Sequence, residues 1–139
     1  GGNKGLVECQ FVRSFSPPAA DSCEALRKLA ANGDAGGIEV VVEAMKKHPG
    51  SAGVQERGCG ALWSLAVNGD NQVKIGGAGG IEVIVEAMKK HPGSAGVQEQ
   101  GCGALWNLAG NNADNKVKIG GAGGIEVIVE AMKKHPGAA

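Results

Sequence analysis

The chain contains the stretch GIEVIVEAMKKHPGSAGVQEQGCGALWNLA at residues 80–109, and residues 37–66 repeat it with three substitutions. A third copy begins at residue 124 and reaches the Lys-His-Pro in the middle of the stretch. The copies therefore begin 43 and then 44 residues apart. Because a period of this length is typical of helical repeat proteins, each copy is expected to be one unit that packs on the next.

Each repeat predicts two helices separated by a break. Apolar residues recur at i, i+3, i+4 and i+7 within residues 81–91, which predicts an amphipathic helix there. The His-Pro-Gly run at residues 91–93 ends this helix, because proline disfavours a helical residue before itself. Ser94 is placed to cap a second helix, and residues 114–119 predict a short helix of about two turns between repeats.

A short helix, a glycine corner and two longer helices per repeat resemble the armadillo repeat from about residue 19 onward. The third-helix motif of that family is similar to GCGALWNLA at residues 101–109, where Asn107 falls on the family's ladder asparagine. The family's tryptophan position holds Gly103, and Trp106 stands at its small polar position. The resemblance implies an all-α, armadillo-like α-solenoid, a right-handed superhelix of two full repeats with a partial repeat at each end.

In this interpretation the chain is one solenoid domain with five segments. They are a flexible start at 1–4, a partial N-terminal repeat at 5–35, full repeats at 36–78 and 79–122, and a partial C-terminal repeat at 123–139.

The third helices of armadillo-like solenoids line a concave groove, so the resemblance implies a scaffold that binds an extended peptide or partner protein. Two of the three differences between the full copies, at positions 57/100 and 64/107, lie seven residues apart and share one helical face, which indicates a tunable surface. Both tryptophans have a second interpretation as packing between repeats. The predicted peptide-binding residues are Arg27, Lys28, Arg57, Trp63, Ser64, Gln100, Trp106 and Asn107.

The sequence offers no basis for an enzyme, a metal site or a bound cofactor. No histidine lies beside a serine or cysteine nucleophile, and the glycine runs at 76–80 and 120–124 fit neither GxGxxG nor the P-loop, so we interpret them as tight corners. Equivalent positions of stacked helices are too far apart for two imidazoles to share a zinc ion, so we interpret the recurrent histidines as helix-end cations or solvated residues. They are His48, His91 and His135.

Charge and cysteine usage narrow the partners and the compartment. Fourteen basic and fourteen acidic residues cancel, which gives no attraction to nucleic acid or anionic lipid. No apolar run approaches the length of a membrane span. The cysteines lack a Cys-x-x-Cys spacing, and Cys23, Cys59 and Cys102 share one repeat position that favours a small buried hydrophobe. With no signal-peptide pattern, we expect a cytoplasmic location, with the nucleus as an alternative.

The last helix, at residues 125–135, lacks the third helix that follows it in the two full copies. Its apolar face should then be partly open unless a partner covers it, and we expect a homodimer in which two such helices cover one another. A divergent helix at residues 6–15 is expected to cover the other end. The alternative function is a structural element, a fragment or engineered array that self-assembles through unsealed ends. The predicted oligomer interface is Ile125, Ile128, Val129 and Met132.

Overall fold

A computed structural model describes residues 36–136, which form seven helices and no strand. In chain order these are α1 (Gly36–Lys47), α2 (Ala52–Leu65), α3 (Gly69–Gly77), α4 (Gly80–Lys90), α5 (Ala95–Ala109), α6 (Ala113–Gly121) and α7 (Gly124–Lys134). This part of the chain is all-α, as the sequence predicts. The expected cover at residues 6–15 lies outside the described residues, as do Cys23, Arg27 and Lys28.

The helix boundaries follow from local sequence signals. Ser51 and Ser94 each accept a hydrogen bond from the backbone amide three residues on, at 3.2 and 3.3 Å, which confirms the predicted cap of the second long helix. Gly79 and Gly123 have φ values of 85° and 87°, where a side chain would strain the backbone. These two glycines let the chain turn from each short helix into the next long one.

Helices at equivalent positions of successive repeats pack against one another. Helix α4 contacts both α1 and α7, α2 contacts α5, and the short helix α3 contacts α6. The apolar face of α4 is fully used in these contacts, since Ile81, Ile84 and Met88 are all buried. Buried apolar side chains from all seven helices except α3 and α6 dominate one cluster, to which the short helices add one isoleucine each, Ile75 and Ile119.

A buried glutamine fixes the corner between the two long helices of each repeat. The side-chain amide of Gln98 donates hydrogen bonds to the carbonyls of Met88 and His91, at 3.0 and 2.8 Å. Gln55 makes the equivalent two bonds in the preceding repeat, at 3.0 and 2.8 Å. Because these carbonyls end a helix, each glutamine satisfies acceptors that the helix itself cannot.

Helix α7 repeats the sequence of α4 but not its burial. Ile125, Val129 and Met132 are 61%, 43% and 58% exposed, whereas the three equivalent side chains of α4 are at most 2% exposed. They lie at i, i+4 and i+7 and therefore form one stripe along the helix. Ile128, the fourth residue of the predicted interface, is half-buried and packs against the core.

Candidate functional site

The candidate binding face lies on α2 and α5, the pair of helices with the most extensive contact in the described structure. Glycines allow this close packing. A Cβ atom on Gly103 would lie 2.6 Å from the indole ring of Trp63, and one on Gly101 would lie 2.6 Å from the sulfur of Met88. A helical glycine is about 1 kcal/mol less favourable than alanine, so close approach is the reason for glycine at these positions.

The two tryptophans have different environments although their local sequences are almost the same. Trp63 is half-buried against the core, and its ring covers Gly103 of the next repeat. Trp106 is 80% exposed. Of the two interpretations that the sequence left open, packing between repeats therefore applies to Trp63 and exposure applies to Trp106.

Asn107 occupies the ladder position, but its amide is used inside the protein. Its side-chain nitrogen donates to the carbonyl of Trp63 at 3.0 Å, and its own carbonyl accepts from the side chain of Gln72 at 3.0 Å. Both bonds join neighbouring repeats. Asn107 thus holds α5 against α2, and this amide proton is committed to the backbone rather than presented to a peptide.

The other predicted binding residues of the described region lie on the same two helices. Arg57, Ser64 and Gln100 are half-buried. The side-chain oxygen of Gln100 lies 3.0 Å from the position of a Cβ atom on Gly60, so this side chain reaches across onto the preceding third helix. The face therefore consists of side chains that lie over glycines of the neighbouring repeat.

Two of the recurrent histidines connect repeats, which the sequence analysis did not predict. The Nε2 atoms of His91 and His135 lie 2.7 and 2.8 Å from the carbonyl oxygens of Pro49 and Pro92 in the preceding repeat. A carbonyl only accepts, so each ring nitrogen must carry the proton that it donates. The interpretation of these two residues as merely solvated is wrong. The recurrence of proline directly after each histidine was the available signal.

An apolar groove of about 430 Å³ lies between α5 and α7, and the sequence analysis did not predict it. The exposed indole of Trp106 forms one wall, and Met132 forms the opposite wall. The groove therefore brings together one predicted peptide-binding residue and one predicted interface residue. The remaining apolar lining includes Cys102, Leu105, Ile119 and Ile128.

The cysteine thiols are unreactive by environment. Burial raises the pKa of the Cys59 thiol to about 12, with smaller contributions from the nearby Cys102 and Glu56. Burial also raises the pKa of Cys102. Because the thiolate is the nucleophile and the metal ligand, both thiols stay protonated at neutral pH. Within residues 36–136, no three side chains of the metal-binding types are grouped so as to hold an ion, and each helix is too short or too polar to cross a bilayer.

Comparisons with known proteins give one short match. No family model and no solved structure matches the chain. A segment of 38 residues is 50% identical to Protein aardvark from Dictyostelium discoideum, and it covers 27% of this chain and 5% of that protein. A match of this length does not assign the chain to a family.

Proposed function

We propose that the chain is an armadillo-like α-solenoid that acts as a non-enzymatic protein-interaction module. The solenoid is supported by the packing of equivalent helices in successive repeats, α1 with α4 with α7 and α2 with α5. A stack of this kind presents a continuous face of side chains whose identities vary while the core is kept. The free thiols of Cys59 and Cys102 suit a cytoplasmic or nuclear location.

The observation that carries the proposal is the 80% exposure of Trp106. A tryptophan is the side chain most enriched at the energetic centre of protein interfaces, and a lone exposed one on a packed helical surface indicates a binding site. Arg57 and Gln100 lie on the same side of the third helices. An extended peptide running across α2 and α5 would contact these three residues and complete its polar contacts through Arg57 and Gln100.

Selection of peptides tests this function. A displayed library of 12-residue peptides is panned against the wild-type protein, and enriched sequences are measured against the double variant Arg57→Ala with Gln100→Ala. We expect affinity to fall at least about tenfold, because a hydrogen bond to a charged group contributes about 1.5–3 kcal/mol. Lys90→Ala, on the exposed surface of α4, is the control and should leave affinity unchanged. Failure to enrich any peptide, or equal affinity for the double variant and the wild type, would contradict the proposal.

A second candidate function, self-assembly through the C-terminal helix, is favoured by the exposed stripe of α7. The closed form is a two-fold dimer in which Ile125 and Val129 of each chain face the partner copy. The variant Ile125→Glu with Val129→Glu should convert a dimer to a monomer in sedimentation at about 100 µM, since buried unpaired charges oppose association. Val73→Glu, on an equally exposed valine of α3, should leave the dimer intact. A wild-type chain that is monomeric at this concentration contradicts this function.

A further inference from the structure

We propose that the groove between α5 and α7 is a docking site for a helix of the α5 type carried by another polypeptide. The pattern that the groove recognises is Gly-Val-Gln-x-x-Gly-x-Gly, the sequence that begins at residue 96. This proposal rests on the proposed function of the chain as an interaction module, and it names the class of partner. The extended peptide of that function would lie along the third helices, whereas this helix would fill the groove.

The inner repeat shows how such a helix is held. Helix α5 lies against α2 and α4, and each of its glycines faces a large side chain. Gly101 faces the sulfur of Met88, Gly103 faces the ring of Trp63, and Gly96 faces the carboxylate of Glu56. The amide of Gln98 then bonds the carbonyls at the end of α4. Recognition in this interface therefore consists of three glycines at fixed spacing and one glutamine.

The groove presents the same features one repeat further along. Met132, Trp106 and Glu99 are the equivalents of Met88, Trp63 and Glu56, and all three line the groove. The end of α7 carries the equivalent carbonyls at Met132 and His135. Met88 is 2% exposed under α5, whereas Met132 is 58% exposed, and no helix in the described part of the chain covers it. The groove thus repeats, residue by residue, a surface that already binds one helix of known sequence.

The glycine spacing makes the groove selective. A helix with any larger residue at the position of Gly103 would place a Cβ atom about 2.6 Å from the ring of the facing tryptophan, as it would in the inner repeat. An aromatic ring is rigid and cannot move its atoms independently, so such a helix is excluded unless the tryptophan is removed. Glycine at these positions also lets the two backbones approach closely enough for the glutamine to reach its carbonyls.

A complementary pair of substitutions tests the proposal. A fluorescent peptide with the sequence of residues 93–112 is titrated with the whole protein and followed by anisotropy. The peptide with Gly103→Leu should bind wild-type protein at least about tenfold more weakly than the parent peptide. The same altered peptide should regain affinity of the order of the parent complex on the Trp106→Ala protein, where the facing ring is absent.

A peptide with Gly101→Ala and Gly103→Ala separates docking from general helix binding. Alanine raises the helix propensity of this peptide, so a surface that merely attracts apolar helices would bind it more tightly. We expect weaker binding instead, because both Cβ atoms meet groove side chains. Tighter binding of this peptide, or no binding of the parent peptide, would overturn the proposal.

The outcomes also distinguish this inference from the function on which it rests. The double variant Arg57→Ala with Gln100→Ala should bind the helical peptide as the wild type does. Loss of helix binding in that variant would place the helix on the third-helix face and refute the groove. A protein that sediments as a dimer and neither binds the peptide nor releases its partner copy would show that a second copy fills the groove, which also refutes the proposal.

Discussion

Replacement of Trp63 by alanine should lower the free energy of unfolding by about 2–3 kcal/mol, whereas Trp106→Ala should change it by less than about 0.5 kcal/mol. The two residues share nearly the same local sequence, so the difference measures environment alone. Trp63 packs over Gly103 and leaves a cavity when it is removed, while Trp106 is exposed and leaves none. Urea unfolding followed by circular dichroism at 222 nm is the measurement, since each variant loses one of the two fluorophores.

Each variant of this pair serves as the control for the other. Equal losses of stability at both sites would show that α2 and α5 do not interlock as described. A large loss on Trp106→Ala alone would show that a partner copy covers that ring in solution. In the second case the loss should depend on protein concentration, because subunit association contributes to the apparent stability.

Replacement of Gln98 by leucine should lower the free energy of unfolding by about 2–4 kcal/mol. Leucine keeps the apolar part of the side chain but removes the donor, which leaves the carbonyls of Met88 and His91 without their partner at a buried corner. Gln55→Leu should behave in the same way one repeat earlier.

The matched control for Gln98 lies two residues further along the same helix. Gln100 is half-buried and lies over Gly60, so Gln100→Leu should cost less than about 1 kcal/mol. Hydrogen exchange adds a local readout, since the amides of residues 91–95 should lose protection first in Gln98→Leu. Equal costs at positions 98 and 100 would contradict the assigned role of the buried amide.

Helix positions could be predicted from the sequence because the signals that set them are local. The serine caps, the His-Pro-Gly break and the spacing of apolar residues in α4 all act within a few residues of one another. Asn107 was also found correctly as a special position, but its role was not. Its amide bonds a backbone carbonyl 44 residues earlier, and this pairing depends on how two repeats are placed side by side.

The rest could not be predicted because equal sequences have unequal neighbours. Nothing local distinguishes Trp63 from Trp106, or Met88 from Met132, and only the packing of a further helix buries one member of each pair. The helical glycines were misleading for the same reason. Helix propensity alone disfavours Gly101 and Gly103, whereas the facing side chains require them.

The near identity of the repeats has a kinetic consequence for folding. Because α1 and α4 differ at a single aliphatic position, a third helix that forms early can dock on either of them, and wrongly ordered intermediates are close in energy to correct ones. Asn107 removes part of this degeneracy. Its bond to the Trp63 carbonyl forms when α5 follows α2, and the serine at the equivalent position of α2 has a shorter side chain that does not reach as far. A single amide thus favours one order of assembly among segments that the hydrophobic core alone treats as interchangeable.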